Sequence, residues 1–131
     1  MAAYLRSAIA MALSVQLSAC LGDSDMCAND VIARRDAPGG GLSAVMFERS
    51  CGATTGFSTQ ISILRRGEVP VGKGNIFIAD DDHGAAAPGD WGGPWAEMQW
   101  LGPDRLRIRY APKARTFLRR EAMSGVKIVY R

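Results

Sequence analysis

The 131-residue sequence is poor in the side chains that most often carry catalysis. It contains one histidine, His83, and three cysteines, none of which form a Cys-x-x-Cys pair. A serine or cysteine nucleophile therefore has a single histidine to act as its base. The serine in Gly56-Phe-Ser-Thr-Gln60 also lacks the second glycine of a nucleophile elbow. The sequence thus favours a protein that is not an enzyme, and nothing in it points to a cofactor.

No apolar run in the sequence is long enough to cross a bilayer comfortably. The longest, residues 7–19, is interrupted by serines and a glutamine, whereas a spanning helix needs about 20 apolar residues. It follows a short basic segment that ends at Arg6 and leads into small residues. This layout is typical of a secretory signal. We predict a helical signal peptide over residues 1–19.

The end of this segment is more specific. Leu17-Ser18-Ala19-Cys20 resembles the bacterial lipobox, in which the cysteine is lipidated and becomes the first mature residue. The resemblance implies a diacylglycerol and an acyl chain such as palmitate on Cys20, and several chains anchor a protein stably to a membrane. Leu21 stands where an aspartate would favour the inner membrane, so the resemblance implies the outer membrane, facing the periplasm, in an organism with two membranes. An ordinary cleaved signal and an uncleaved anchor are the alternatives.

The three cysteines are Cys20, Cys27 and Cys51. An odd number is unusual for an exported protein unless one cysteine has another role. If Cys20 carries lipid, an oxidising compartment would pair the other two. We predict a Cys27–Cys51 disulfide, with two free thiols as the alternative.

Alternating patterns and turn signals predict an all-β domain. Phe57, Thr59, Ile61 and Ile63 fall on one face of a strand, and Ser58, Gln60 and Ser62 fall on the other, which we expect to be wet. No amphipathic helix of useful length follows residue 30. We predict six or seven short antiparallel strands in a sheet or meander, a sandwich or an open barrel. The domain covers residues 31–131, and residues 20–30 form a polar tether.

Further strands are predicted at residues 42–50, 74–79, 95–101, 105–110, 116–119 and 126–130. Residues 31–35 fit either a brief strand or a turn of helix, and residues 121–125 fit a turn. The longest irregular stretch, residues 80–94, is long enough to be either functional or mobile.

The run Phe47-Glu-Arg-Ser-Cys-Gly-Ala-Thr-Thr-Gly-Phe-Ser-Thr-Gln-Ile-Ser-Ile63 resembles the signature of a family of small exported bacterial proteins with no assigned activity. Residues 74–79 and 100–108 are similar to later segments of the same family. The resemblance covers most of residues 27–130. It implies export and a small β fold, and it carries no reaction, ligand or site residue.

Charge is distributed unevenly along the chain. Residues 20–100 carry 6 basic and 11 acidic side chains, whereas residues 101–131 carry 9 basic and 2 acidic ones. Such asymmetry indicates either a binding tail or acidic and basic strands that pair within one sheet. We favour pairing, because Arg105, Arg107 and Arg109 alternate with apolar residues. Glu48 and Glu97 are candidate partners. A surface for acidic lipids or other polyanions is the alternative.

The irregular stretch holds the remaining candidates for a site. Asp80, Asp81, Asp82 and His83 are possible metal ligands, with Asp90 near in sequence, but their spacing fits no calcium-loop motif and favours a solvated acidic turn. Trp91 and Trp95 either cover one end of the sheet or contact a partner.

These observations predict a lipid-anchored protein of the cell envelope that acts as a small binding or structural module. The expected partners are the membrane and an envelope protein or peptidoglycan, and nucleic acid is not expected. The alternatives are a metal-dependent enzyme centred on residues 80–83 and an inhibitor or immunity-type partner that exposes Trp91 and Trp95.

Overall fold

The computed structural model describes residues 26–52 and 56–131, which form nine β-strands and no helix. The all-β prediction is confirmed. The strands are β1 (Ala28–Asp36), β2 (Leu42–Ser50), β3 (Ser58–Arg65), β4 (Phe77–Asp80), β5 (Ala96–Gly102), β6 (Arg105–Tyr110), β7 (Arg115–Arg119), β8 (Ala122–Met123) and β9 (Val126–Tyr130). The predicted signal peptide, Cys20, Thr54 and Thr55 lie outside the described residues. Within those residues, no helix could cross a membrane.

The strands form two sheets that share one apolar core. The five-stranded sheet has the order β1-β2-β3-β4-β7, and the four-stranded sheet has the order β5-β6-β9-β8. Met46, Ile61 and Phe77 of the first sheet belong to the same buried cluster as Leu106 and Ile128 of the second. The architecture is therefore a β-sandwich, built as expected from sheets with apolar inner faces.

Most neighbouring strands are antiparallel, as predicted, but β6 and β9 are parallel. Leu106 and Ile108 point into the core and alternate with the arginines, in agreement with the pattern of β6. β8 lies inside residues 121–125, where only a turn was predicted, and pairs with β9 through two residues. The short β8 therefore forms one edge of the four-stranded sheet.

The prediction of one wet face on β3 is wrong. Gln60 and Ser62 are buried like the apolar residues that alternate with them. The connection from β3 to β4 folds over the outer face of the five-stranded sheet. Its backbone N–H groups at Gly74 and Asn75 donate to the Gln60 Oε1 and Ser62 Oγ atoms at 2.8 and 3.0 Å. Polar residues are buried here because the connection satisfies their hydrogen bonds.

The first strand is longer than the sequence suggested. It begins at Ala28, inside the stretch assigned to the tether, and pairs with β2 from Ala28↔Ser50 to Asp36↔Ser43. The predicted disulfide joins Cys27 to Cys51, one position beyond the Ala28↔Ser50 pair. It therefore closes the open end of the β1–β2 hairpin and ties Cys27, directly before β1, to the residue that follows β2.

Candidate ligand-binding cleft

An open cleft of about 490 Å³ lies on the outer face of the five-stranded sheet, beside the connection that covers part of that face. We call it the Arg49 cleft. Its polar lining consists mainly of Arg49, Gln60, Asp80, Asp81, His83 and Arg115. Ile78 and Phe117 add apolar surface, and the Phe117 side chain is 62% exposed. Concave sites with a mixed lining of this kind are typical places for a ligand.

Arg49 is an almost completely buried cation at one side of the cleft. It is 8% exposed and shares the outer face of β2 with Phe47. Its Nη1 atom donates to Asn29 Oδ1 at 2.7 Å, and the Asn29 amide in turn donates to the carbonyls of Pro70 and Gly72 at 3.1 and 2.8 Å. β1 and the β3–β4 connection thus fix the orientation of the Arg49 guanidinium.

Asp80 and Arg115 form an ion pair at the opposite side of the cleft. They face each other across β4 and β7, and Arg115 Nε and Nη2 donate to the two carboxylate oxygens at 3.1 and 2.5 Å. These hydrogen bonds lower the pKa of Asp80, against the opposing effect of burial, and raise the pKa of Arg115. Asp80 is therefore ionised at neutral pH and already engaged by Arg115.

The predicted metal candidates do not converge. Asp80 and His83 line the cleft, but Asp82 is exposed, and its backbone N–H donates to Asp80 Oδ1 at 2.9 Å. Asp82 and His83 have positive φ angles of 49° and 57°, so the chain turns sharply here. In the described part of the chain, no group of three histidine, cysteine or acidic side chains could hold a metal ion. The arrangement is a hydrogen-bonded acidic turn.

Two possible nucleophiles line the cleft, and both are engaged elsewhere. The Ser58 hydroxyl donates to the Arg49 carbonyl at 3.0 Å and accepts from Gln60 Nε2 at 3.1 Å. Cys51 is oxidised in the disulfide with Cys27. An activated nucleophile needs a base that accepts its proton or a free thiolate. Neither Ser58 nor Cys51 is therefore an activated nucleophile in this structure.

The two tryptophans of the irregular stretch are partly buried. Trp91 donates through Nε1 to the buried Thr59 Oγ1 at 2.8 Å and packs against the core. A Cβ atom on Gly89 would lie 2.4 Å from the Trp91 ring, so the loop wraps closely around the indole. Trp95 is also half-buried. Both indoles are therefore only partly accessible to a partner.

The arginines of β6 lie on the outer face of the four-stranded sheet. Arg109 forms an ion pair with Glu97 at 3.0 Å, directly across from it on β5, and Arg107 donates to Gln99. Arg105 is exposed, with Lys127 beside it in the β6–β9 register. Cross-strand pairing with Glu97 therefore occurs as predicted.

Glu48, the other acidic partner suggested for these arginines, lies in the five-stranded sheet opposite Asp30. Its pKa is raised, mainly by burial and also by the Asp30 carboxylate. Glu48 therefore faces another acid and contributes nothing to the arginine face.

Sequence reasoning did not single out Arg49, Arg115 or Phe117 as site residues. Arg49 follows Phe47 by two positions, so strand periodicity places both on one face. The periodicity does not predict that the β3–β4 connection covers part of that face, nor that a cleft lies beside the connection.

No protein-family model, curated protein or solved structure matches this chain. The resemblances to the lipobox and to the exported family therefore stay predictions.

Proposed function

We propose that the protein is a lipid-anchored binding protein of the cell envelope, attached through Cys20, that holds a ligand in the Arg49 cleft. The observation that carries this proposal is the Cys27–Cys51 disulfide. Structural disulfides persist in oxidising compartments such as the periplasm or the cell surface, so the bond supports export. It also accounts for two of the three cysteines and leaves Cys20 for lipid attachment.

The anchoring part of the proposal is tested with a Cys20→Ser variant of the full chain. The parent protein should fractionate with membranes and have an intact mass that includes a diacylglycerol and an acyl chain. The variant should lose both the added mass and the membrane attachment. A Cys27→Ser/Cys51→Ser variant is the matched control, because it should keep the lipid. A parent protein whose mass includes no lipid refutes the anchor.

The lining of the cleft favours a ligand with both charged and apolar groups. Arg115 provides cationic surface, Asp81 provides an anionic edge, and Ile78 and Phe117 provide apolar contacts. A peptide segment of peptidoglycan or of another envelope protein combines these groups. Binding without reaction agrees with the engaged states of Ser58 and Cys51.

The binding part is tested at Phe117, because its exposed ring contributes to the cleft without belonging to the buried core. Purified peptidoglycan and cross-linked envelope fractions serve as two separate probes. Phe117→Ala should reduce capture by one of them several-fold. Leu101→Ala, an exposed apolar residue on the other sheet, is the matched control and should leave capture unchanged. Equal capture by the parent and both variants would exclude the cleft as the site.

A further inference from the structure

Val31 of β1 and Val69 and Val71 of the β3–β4 connection are exposed apolar residues. Val31, Val69 and Val71 are 49%, 67% and 86% exposed, and we call them the valine patch. Exposed apolar groups that cluster are a sign of an interaction surface. The patch lies outside the Arg49 cleft, and none of its residues lines that cleft.

Hydrogen bonds hold residues 68–72 against β1. Arg34 Nη2 donates to the Glu68 carbonyl at 2.7 Å, and the Asn29 amide donates to the carbonyls of Pro70 and Gly72. The segment therefore runs antiparallel to β1, with its Gly72 end near the start of that strand. Pro70 is buried between two exposed valines, so Val69 and Val71 project away from the sheet.

The patch lies close to the point where the proposed tether joins the domain. Met26, which is 82% exposed, directly precedes Cys27 and β1. Met26 is six positions after Cys20, and a fully extended chain spans only about 20 Å over six positions. A lipid on Cys20 would thus keep Met26 within about 20 Å of the bilayer. Val31 follows Met26 by five residues.

We propose that Met26 and the valine patch rest on the bilayer that holds the Cys20 lipid, so that the domain keeps one orientation on the membrane. This inference rests on the proposed lipid anchor. Three small side chains are too few for a stable protein interface, which buries about 1,200–2,000 Å². A bilayer contact can be that small because the tether keeps the patch at high effective concentration beside the membrane. Shallow burial of apolar side chains at the headgroup boundary is an established mode of membrane contact.

The test uses the lipidated full-length protein with a single introduced cysteine. Val71→Cys is labelled with an environment-sensitive fluorophore, while Cys27 and Cys51 are protected by their disulfide. The protein is reconstituted into phosphatidylcholine vesicles that contain brominated acyl chains. The label at position 71 should shift to the blue and be quenched several-fold more than a label at Leu101→Cys, on the other sheet.

The outcomes separate the inference from the proposed function. Protein that floats with the vesicles but shows equal quenching at positions 71 and 101 overturns the membrane contact and leaves the anchor standing. Protein that lacks lipid and does not float refutes the anchor and the inference together. A concentration-dependent blue shift at position 71 in the Cys20→Ser protein without vesicles would assign the patch to a second copy instead and overturn the inference. Introducing Val69→Asp should abolish the extra quenching at position 71.

Discussion

Gly74 allows the β3–β4 connection to pass close to the backbone of the five-stranded sheet. A Cβ atom at this position would lie 2.7 Å from the Phe77 carbonyl oxygen and 3.0 Å from that of Ile61. Backbone atoms cannot move aside as a flexible side chain would, so Gly74→Ala must displace the connection. We expect the substitution to lower the free energy of unfolding by about 1–3 kcal/mol, as overpacking typically does. Urea denaturation followed by tryptophan fluorescence measures the change.

Gly41→Ala is the matched control for this prediction. A Cβ atom at Gly41 would meet nothing within 4 Å, and the residue does not have a positive φ angle. The control should leave stability unchanged or raise it slightly, because alanine restricts the unfolded chain. Equal destabilisation by both substitutions would show that the close approach of the backbone at Gly74 is not the cause of the loss of stability.

We expect Tyr130 to make the stability of the protein sensitive to alkaline pH. Its hydroxyl donates to the carbonyls of Arg120 and Ile76 at 2.6 and 3.3 Å. Burial raises the pKa of Tyr130 from 10.0 to about 12, although the Arg119 guanidinium acts in the opposite direction. The folded state therefore holds this proton more tightly than the unfolded chain does. Protonated Tyr130 therefore contributes to the free energy of unfolding. This contribution is complete below pH 10 and is lost as the pH rises to about 12.

We expect the Tyr130→Phe variant to be less stable than the parent at neutral pH, because it lacks both hydrogen bonds, but to lose less stability through this alkaline range. Thermal melting at several pH values measures the difference, and phenolate absorbance reports the titration directly. Parallel stability curves for the parent and the variant would contradict this role of Tyr130.

At the scale of single elements, the disulfide acts on the β1–β2 hairpin. It closes a loop across a sequence separation of 24 residues, for which the chain-entropy model gives about 3–4 kcal/mol. We expect Cys27→Ser/Cys51→Ser to lose about that much stability in urea denaturation. Reductant should destabilise the parent by a similar amount and leave the double variant unaffected. A parent that is insensitive to complete reduction would show that the hairpin does not need the bond.

The strands that could be predicted from the sequence are those in which apolar, buried residues alternate with polar, exposed ones. In β6, Leu106 and Ile108 alternate with arginines, and the structure buries the first set and exposes or half-buries the second. In β5, Met98 and Trp100 share a face as expected, and both contact the core. Alternation is informative for these strands because one face of the four-stranded sheet meets solvent.

The five-stranded sheet was harder to predict because both of its faces are partly covered. In β2, five consecutive residues are buried, so no alternation marks the core face. Asn75 shows why β4 begins later than expected. Its side-chain amide pairs with both the N–H and the carbonyl of Ile63, at 2.8 and 2.9 Å, in place of a backbone partner. Hydrogen bonds between a side chain and a distant backbone leave no periodic trace in the sequence.

At the scale of the whole molecule, two ion pairs between neighbouring strands join the basic C-terminal part of the chain to the acidic part before it. The basic C-terminal part supplies Arg109 opposite Glu97 and Arg115 opposite Asp80. The partners of these pairs lie 12 and 35 residues apart in sequence. The distribution of charge along the chain therefore predicted that acidic and basic strands pair, but the order of the strands in the sheets determines which residues meet. For the same reason the Arg49 cleft could not be predicted: it combines residues from β2, β3, β4 and β7.

Because the two sheets share one core, we expect them to unfold together. Ile128 of β9 and Ile61 of β3 lie in different sheets but in one buried cluster. Truncating a buried isoleucine to alanine costs about 2–5 kcal/mol. We expect Ile128→Ala to shift a single cooperative transition by this amount, with tryptophan fluorescence and far-ultraviolet circular dichroism changing together. Lys127→Ala, an exposed neighbour, should have little effect. If the variant instead showed an early transition that left the five-stranded sheet folded, the two sheets would be separate folding units. The shared core would then not couple the disulfide-closed β1–β2 hairpin to β9.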